Sequence, residues 1–573
     1  MEKPWLAHYE QGTPAEVEIP GYPITQDLIE NARRYPDHPA LVYGSVVEPL
    51  GNLLLDRAIS FRQLCDLTTR FAAGLQALGV EQGDRVMIHL PNCPQFVIST
   101  YATLLIGGIV VPANPEYVAR ELGFQLNDSG AETIVTLSLT YPTVRQIRAE
   151  TPLKRVVVTN VKAYFPRLLR LLFTTFRERK EGHRQDLSGD ADTYWFQDVL
   201  KHAPPRPAPV KVTMGETAVL MYTGGTTGTI KGAQLTHRNI QANAVQIRHW
   251  FPAMNEGEET ILAALPFYHS YGMTTCMNLG IRTRTTNVLI VNPRVTAHIL
   301  RSIDRHRASF FPGVPAFYTA ILNHPDLHKY RLDSIKACIS GAAPLPQEIQ
   351  ERFESITGGR LVEGYGLSES TPVTHANPIF GERRNGTIGL PLPNTEARIV
   401  DAETGTRDLP PGEPGELVVH GPQVMKGYWQ KPIETAYALR SGWLHTGDIA
   451  RMDSDGYFQI IDRKKDVIVG ASGLCIYPTE VEKVLLQHPK VKQCAAIGIS
   501  AGPEKGERVK VVVVLEEGEA ATEDEIKAFC RQNLTPYKIP KVVEFRDELP
   551  LTPFGKVLRR KLKEESLEPP RAS

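Results

Sequence analysis

The chain has 573 residues, enough for more than one domain. Its 42% hydrophobic and 22% charged content fits a soluble globular protein rather than a disordered or membrane-embedded one. Lys plus Arg and Asp plus Glu balance at 64 each, so no global field favours nucleic acid and none is expected as a partner.

The opening MEKPWLAHYEQG has no apolar core of the signal-peptide kind. From about Ile24 to Lys201, helical patterns alternate with short apolar strands. Ser60–Gly79 reads as a helix with Ser60 at its N-cap, and Asp84–Leu90, Thr133–Ser138 and Lys154–Asn160 read as strands. Such alternation predicts an α/β fold of buried, mostly parallel strands layered between helices. Phe96–Ala113 is free of charge and near the length of a membrane span, but Gly107-Gly108 breaks it, so a core helix followed by a strand is expected. The seven cysteines (Cys65, Cys93, Cys276, Cys338, Cys475, Cys494, Cys530) are scattered without a CxxC pair. That argues against a disulfide framework or zinc cluster and fits a reducing cytoplasm.

Tyr164–Lys180, YFPRLLRLLFTTFRERK, stands apart. On a helical wheel Leu168, Leu169, Leu171, Leu172, Phe173 and Phe176 share one side, with Arg167, Arg170 and Arg177 opposite. A basic amphipathic helix suits an anionic membrane surface, at the inner face for a cytoplasmic protein. A helix packed on its own domain with solvated arginines is the equal alternative. Lys201–Val212, with four prolines, reads as an exposed connector.

The segment Tyr222–Ala233, YTGGTTGTIKGA, follows the apolar run Thr217–Met221 and precedes a helical pattern capped by Thr236. Glycines let backbone N–H groups close around a phosphate, threonine hydroxyls add donors or metal ligands, and Lys231 adds a point charge. The spacing is not the Walker pattern, which requires Gly-Lys followed by Ser or Thr. Four later clusters supply further parts. LPFYHSYGM places His269 among aromatic residues. ACISGAAPL and EGYGLSESTP bring small residues, a stacking Tyr365 and the hard carboxylate Glu369, suited to Mg²⁺. GWLHTGD ends on Asp448, a residue type fit to hold ribose hydroxyls. LTPFGKVLRRKL presents Lys556 after a Pro/Gly turn.

Between EGYGLSESTP and GWLHTGD the texture turns to short strands with Pro/Gly turns from Glu396 to Gly421, predicting a small β-rich subdomain. A boundary is expected at Asp462/Arg463 in DRKKD, giving domains 1–462 and 463–573. The second is predicted as a compact α+β unit with a helix from Pro478, a strand Arg508–Glu516 and a capping box Thr522–Glu525.

In this order the clusters resemble the adenylate-forming superfamily of acyl-CoA synthetases, firefly luciferase and the adenylation domains of peptide synthetases. Within it the chain looks most like bacterial long-chain fatty-acid–CoA ligases, through KPWLAHYEQGTPAEVEIP, GDRVMIHLPNCPQFVISTYATLLIGGIVVPANP and DGYFQIIDRKKDVIV.

The resemblance implies a large N-terminal domain, a small mobile C-terminal one, and a two-step reaction. A carboxylate attacks ATP to give acyl-AMP and pyrophosphate, and CoA then displaces AMP. Thr223, Gly224, Gly225, Thr226, Thr227, Gly228, Thr229 and Lys231 would hold the phosphates, with Thr226 and Glu369 on Mg²⁺. Gly341, Ala342, Ala343, Glu363, Gly364, Tyr365, Gly366 and Ser368 would form the adenine pocket, and Asp448 with Arg463 would grip the ribose. Lys556 would bridge carboxylate and α-phosphate. His269, Tyr271 and Met273 would face the acyl group, Gly473 and Leu474 the CoA, and Lys465 would be the pivot.

Gly225 replaces a common serine, Ile230 a common proline, and Leu474 and Cys475 depart from the usual SGFNVYP. Alternatives are a shorter-chain or aryl-CoA ligase, and a fatty-acyl-AMP ligase that loads a carrier protein. A homodimer is one outcome for the oligomeric state.

Overall fold

The helix–strand alternation of the N-terminal half closes into an eight-stranded sheet. Its order is Gly427–Tyr428, Lys231–Thr236, Thr217–Thr223, Ile109–Pro112, Arg85–His89, Thr133–Leu137, Arg155–Thr159, Thr193–Trp195. From Thr217–Thr223 outward every pairing is parallel, and the two strands at the other edge are antiparallel. This computed structural model describes residues 3–47, 53–223, 230–469, 475–500, 507–551 and 557–567. It divides into a unit of Met1–Glu396 with Val419–Leu444 and a unit of Ala397–Val418 with His445–Ser573.

Parallel strands buried on both faces need apolar residues at successive positions. Val156, Val157 and Val158 accordingly have no solvent exposure. Met87, Val111, Ile134 and Leu220 pack on one face against Leu122, Leu126, Tyr141 and Val144 of the flanking helices Ala119–Ser129 and Tyr141–Ile147.

The charge-free stretch is the helix Pro94–Leu105 followed by the strand Ile109–Pro112, as expected. The helix is buried from Pro94 to Leu104, which accounts for the missing charge. Its buried Gln95 donates to Thr159 Oγ1 and the Asn160 carbonyl. Among the described residues no helix is long and apolar enough to cross a membrane.

A second sheet orders Thr260–Ala263, Thr286–Leu289, Pro39–Val47 and Leu53–Ser60; a third orders Ala337–Ser340, Arg360–Gly366, Val373–Ala376 and Leu390–Pro391. Phe310 bridges the two, pairing with Ile261 and Ala337, and their shared core includes Val288, Leu300, Tyr318 and Leu361. Ser60 caps the helix Phe61–Ala77 in a full capping box with Gln63. The Pro-rich connector is irregular, with Gln76 gripping the backbone of Ala208 at both N–H and C=O.

The basic segment departs from one continuous amphipathic helix. Pro166 precedes a six-residue helix, Arg167–Leu172, which widens into a π-turn over Phe173–Arg177. The apolar side is divided. Leu169 and Phe173 are buried, Phe173 edge-on to Phe165, while Leu168, Leu171 and Phe176 are 53%, 63% and 70% exposed.

The strand Trp443–Met452, which belongs to the second unit from His445 on, pairs antiparallel with Phe458–Arg463 over Asp448–Met452. Further on, the strands Val491–Ser500, Glu507–Leu515 and Val542–Phe545 carry the helices Pro478–Leu485 and Glu523–Asn533. Val481, Leu485, Val511, Val513 and Ile526 form the core between them. Thr522 accepts from the Glu525 N–H, but the Glu525 carboxylate turns to Lys490 at 2.8 Å, so only half of the expected capping box is seen.

Candidate active site

Lys231 does not sit on a loop leading straight into a helix. It opens a return strand, Lys231–Thr236, paired in register with Thr217–Thr223 so that Thr223 faces Lys231. Only then does Thr236 cap the helix His237–Trp250. The glycine-threonine segment is thus flanked by two paired strand ends, Thr223 and Lys231. Its residues Gly224, Gly225, Thr226, Thr227, Gly228 and Thr229 lie outside the described residues.

The anchors are specific. The Tyr222 hydroxyl donates to Asp128 Oδ2 at 2.7 Å, and its ring lies against Gly232, where a Cβ would stand 3.2 Å from ring carbons. Lys231 is 7% exposed, with its ammonium 5.1 Å from the Tyr428 ring centroid. Among the described residues no carboxylate pairs with it, an arrangement that suits an anionic ligand. Thr223 Oγ1 is buried with no hydrogen-bond partner among the described residues, a hydroxyl with its bonding capacity unused.

Glu369 lies in the short turn Ser368–Ser370 after the strand Arg360–Gly366. Its Oε1 accepts from the Tyr428 hydroxyl at 2.8 Å, and its backbone C=O accepts from the Met425 N–H. Ser270 and Ser368 hydroxyls lie 3.1 Å apart, and Thr274 Oγ1 donates to the Thr371 carbonyl, tying this turn to the His269 segment. His269 caps the helical turn Ser270–Gly272 by accepting the Tyr271 N–H.

Tyr271 is buried, its hydroxyl donating to the Ile339 carbonyl. Its ring stands where a Cβ on Gly341 would come within 3.0 Å, which explains a glycine at the head of the small-residue loop. Ala342 there has φ +67, and Met273 is buried at the start of a π-turn, Met273–Asn278. Glu363 accepts the Leu345 N–H, and Tyr365 lies edge-on to His375. The first unit therefore carries Lys231, Glu369, Glu363 to Gly366, Gly341 to Ala343, His269, Tyr271 and Met273 on strand ends and short turns, linked through Tyr428, the Ser270–Ser368 hydroxyls and the Tyr271 ring.

Asp448 and Arg463 belong to the second unit, as direct cross-strand partners. Arg463 Nε donates to Asp448 Oδ1 at 2.7 Å, and the Asp448 N–H donates to Thr446 Oγ1. Beneath them lies a carboxylate that the motifs did not single out. Glu416, almost fully buried, accepts from Lys464 Nζ at 2.9 Å, the Gly447 N–H at 3.2 Å and His445 at 3.3 Å. Burial opposes its ionisation, but the bonds from His445 and Lys464 outweigh that and bring its pKa down to about 2. Lys465, the expected pivot, is exposed in the turn Lys464–Asp466. Gly473, Leu474 and Lys556 lie outside the described residues.

The donor set suits Mg²⁺. Among the described residues no cluster of three or more His, Cys, Asp or Glu side chains forms a metal cage. A single carboxylate such as Glu369 is enough for Mg²⁺ when nucleotide phosphates and water complete its shell.

The chain belongs to the AMP-binding enzyme family: that family's sequence pattern matches residues 28–429, and the pattern of the AMP-binding enzyme C-terminal domain matches residues 480–556. It is 43% identical over 572 residues to the long-chain-fatty-acid–CoA ligase of Bacillus subtilis (strain 168), covering 99% of both chains. It is 38% identical to the ligase of the same description from Escherichia coli O6:H1, again over 99% of each. Among solved structures, ATP-bound MatB from Rhodopseudomonas palustris superposes with a TM-score of 0.78 at 27% identity, over 95% of this chain and 99% of that one. A fatty acyl CoA synthetase from Mycobacterium tuberculosis gives 0.71 at 25% identity, over 95% and 98%.

Proposed function

We propose that the protein is an ATP-dependent long-chain fatty-acid–CoA ligase. The fatty-acid carboxylate attacks the α-phosphorus of ATP, pyrophosphate leaves, and the CoA thiolate then attacks the acyl carbon and expels AMP. The observation that carries this reading is end-to-end similarity to such ligases in a chain whose first unit assembles Lys231, Glu369 and the small-residue loop.

Each part has a physical task. Lys231 and the Thr223 hydroxyl bind the β- and γ-phosphates, and Tyr365 stacks on adenine beside Gly341, Ala342 and Ala343. Glu369 with Thr226 would hold Mg²⁺, which neutralises charge on the phosphates during transfer. Asp448 and Arg463 bind the ribose, and Lys556 spans the attacking carboxylate and the α-phosphate. His269, Tyr271 and Met273 face the acyl end, and Gly473 and Leu474 the thiol end. Residues 463–573 turn about Lys465 between the half-reactions, so that one site serves two chemistries. A long acyl chain suits a deep apolar tunnel, since each buried CH₂ contributes about 0.8 kcal/mol.

The exposed Leu168, Leu171 and Phe176, with Arg167 and Arg170 beside them, support peripheral contact with an anionic membrane face on the cytoplasmic side. The reaction is tested by CoA-dependent AMP release across saturated acids from acetate to stearate, with benzoate. A maximum among the long acids is expected. A maximum at acetate or benzoate overturns the substrate assignment, and ATP–pyrophosphate exchange without CoA dependence assigns a carrier-loading ligase instead.

A further inference from the structure

Tyr428 touches both charged groups that the proposed reaction places on the phosphates, and no sequence motif pointed to it. Its short strand, Gly427–Tyr428, pairs antiparallel with the hairpin's return strand, Tyr428 opposite Ala233 and Gly427 opposite Gln234. The Trp429 N–H donates to the Gly232 carbonyl at 2.8 Å, and the Lys426 N–H to Gln234 at 2.9 Å. On its other flank the Met425 N–H donates to the Glu369 carbonyl at 2.8 Å. One stretch of backbone thereby sets the hairpin and the Glu369 turn at a fixed separation.

The side chain repeats that link. Its hydroxyl donates to Glu369 Oε1 at 2.8 Å, and the face of its ring lies 5.1 Å from the Lys231 ammonium. The Tyr428 N–H donates to Thr435 Oγ1 at 2.9 Å, and Thr435 donates in turn to the Lys431 carbonyl at 2.7 Å, which braces the strand from behind. Among the described residues Glu369 Oε2 has no hydrogen-bond donor.

We propose that Tyr428 is a positioning residue for the metal–nucleotide complex: its hydroxyl holds one oxygen of Glu369, leaving the other for a divalent cation, while its ring seats the Lys231 ammonium beside the same phosphates. The proposal rests on reading Glu369 as the metal carboxylate and Lys231 as a phosphate ligand. The physical reason is pre-organisation. A carboxylate already fixed by one hydrogen bond loses less freedom when a cation binds, and removing such outer partners of metal ligands weakens metal affinity by roughly 10- to 100-fold. The ring adds a separate effect, because the π face attracts the ammonium without neutralising the charge it presents to a phosphate.

The test uses the full chain with Tyr428→Phe, which removes only the hydroxyl, and Tyr428→Leu, which removes the ring as well. Mn²⁺ bound with a saturating α,β-methylene ATP analogue is read by electron paramagnetic resonance, and metal-free binding of the analogue by calorimetry. Tyr428→Phe should weaken Mn²⁺ binding by roughly 10- to 100-fold and leave metal-free binding of the analogue unchanged. Excess Mg²⁺ should restore its ATP–pyrophosphate exchange. Tyr428→Leu should weaken metal-free binding too. Unchanged Mn²⁺ affinity in Tyr428→Phe, or a rate loss that excess Mg²⁺ leaves untouched, overturns the proposal. Glu369→Gln separates the two levels: if it also leaves Mn²⁺ binding unchanged, the assignment of Glu369 falls and the proposal with it. If Glu369→Gln abolishes binding while Tyr428→Phe does not alter it, the role of Tyr428 alone is refuted.

Discussion

Arg463 Nε donates to the buried carboxylate of Asp448 at 2.7 Å across an antiparallel strand pair. The Asp448 side chain is 2% exposed and that of Arg463 33%, so the pair has a shielded anionic end and an accessible cationic one. A ribose bound by Asp448 would compete for acceptors that Arg463 already orients. Asp448→Asn keeps the shape and removes the charge. It should raise KM for ATP by roughly tenfold, about 1.4 kcal/mol, with a smaller change in KM for the fatty acid. Steady-state kinetics with each substrate varied decides this, and a larger change on the fatty acid would place Asp448 elsewhere in the reaction.

Lys556 is the group proposed to span the two reacting anions. A fixed cation at a developing charge typically lowers a barrier by a few kcal/mol, so Lys556→Ala should slow adenylate formation by roughly a hundredfold or more. Thioester formation from supplied acyl-AMP should persist, since that step does not involve the α-phosphate attack. Equal loss in both half-reactions contradicts the assignment.

Close after that lysine in sequence, Arg559 places one terminal nitrogen on both oxygens of Glu482, at 2.8 and 2.7 Å, and Glu482 also accepts the Ala496 N–H at 2.8 Å. Both side chains are mostly buried. Arg559→Ala strands a carboxylate in the interior of the second unit and should destabilise it by about 3–5 kcal/mol. Replacing both partners, Arg559→Met with Glu482→Leu, should cost much less. Denaturant unfolding of the two variants tests this, and equal losses would mean that the pair is not coupled.

Four buried histidines set an acid limit. Burial lowers His89, His237 and His298 to about 4 and His375 to about 3. The unfolded chain protonates these rings near 6.5. Their contribution to stability is thus fully present above about pH 6.5 and falls as pH drops toward 4, where the folded rings begin to take up protons. Each contributes about 1.4 kcal/mol per pH unit within that window. The thermal midpoint should fall steeply between pH 6.5 and 5, and His237→Gln should shallow the slope. A flat profile over this range would contradict the buried, neutral assignment.

The divided apolar segment predicts a separable membrane effect. Leu171→Ser with Phe176→Ser alters only exposed positions, so stability and activity on soluble substrate should hold. Co-sedimentation with anionic vesicles should fall several-fold and rise again at low salt through the arginines. Unchanged sedimentation would leave these residues as ordinary surface.

The parallel sheet and the charge-free core helix were legible in the sequence because burial on both sides leaves a continuous apolar signature. Asp448 and Arg463 were brought together in the sequence only by the family resemblance; that they pair directly across one hairpin is seen in the strand register. The return strand Lys231–Thr236 was not read as a strand. KGAQLT is short and polar enough to pass for loop, and it becomes a strand only through pairing with Thr217–Thr223. Tyr428 and Glu416 were missed because their partners Glu369 and Lys464 lie far along the chain, where no periodicity or cap reports them.

The hairpin around the phosphate segment separates two properties that loops usually mix. With Thr223 registered against Lys231, the ends of the segment are held by the ladder whatever lies between them. The entropy of closing such a loop grows slowly, by about 0.6 kcal/mol for each doubling of its length. Extra glycines inserted there should therefore hardly alter folding, yet they should weaken the nucleotide affinity proposed for this segment. On the proposed function, length at this point would be set by the ligand and not by the fold.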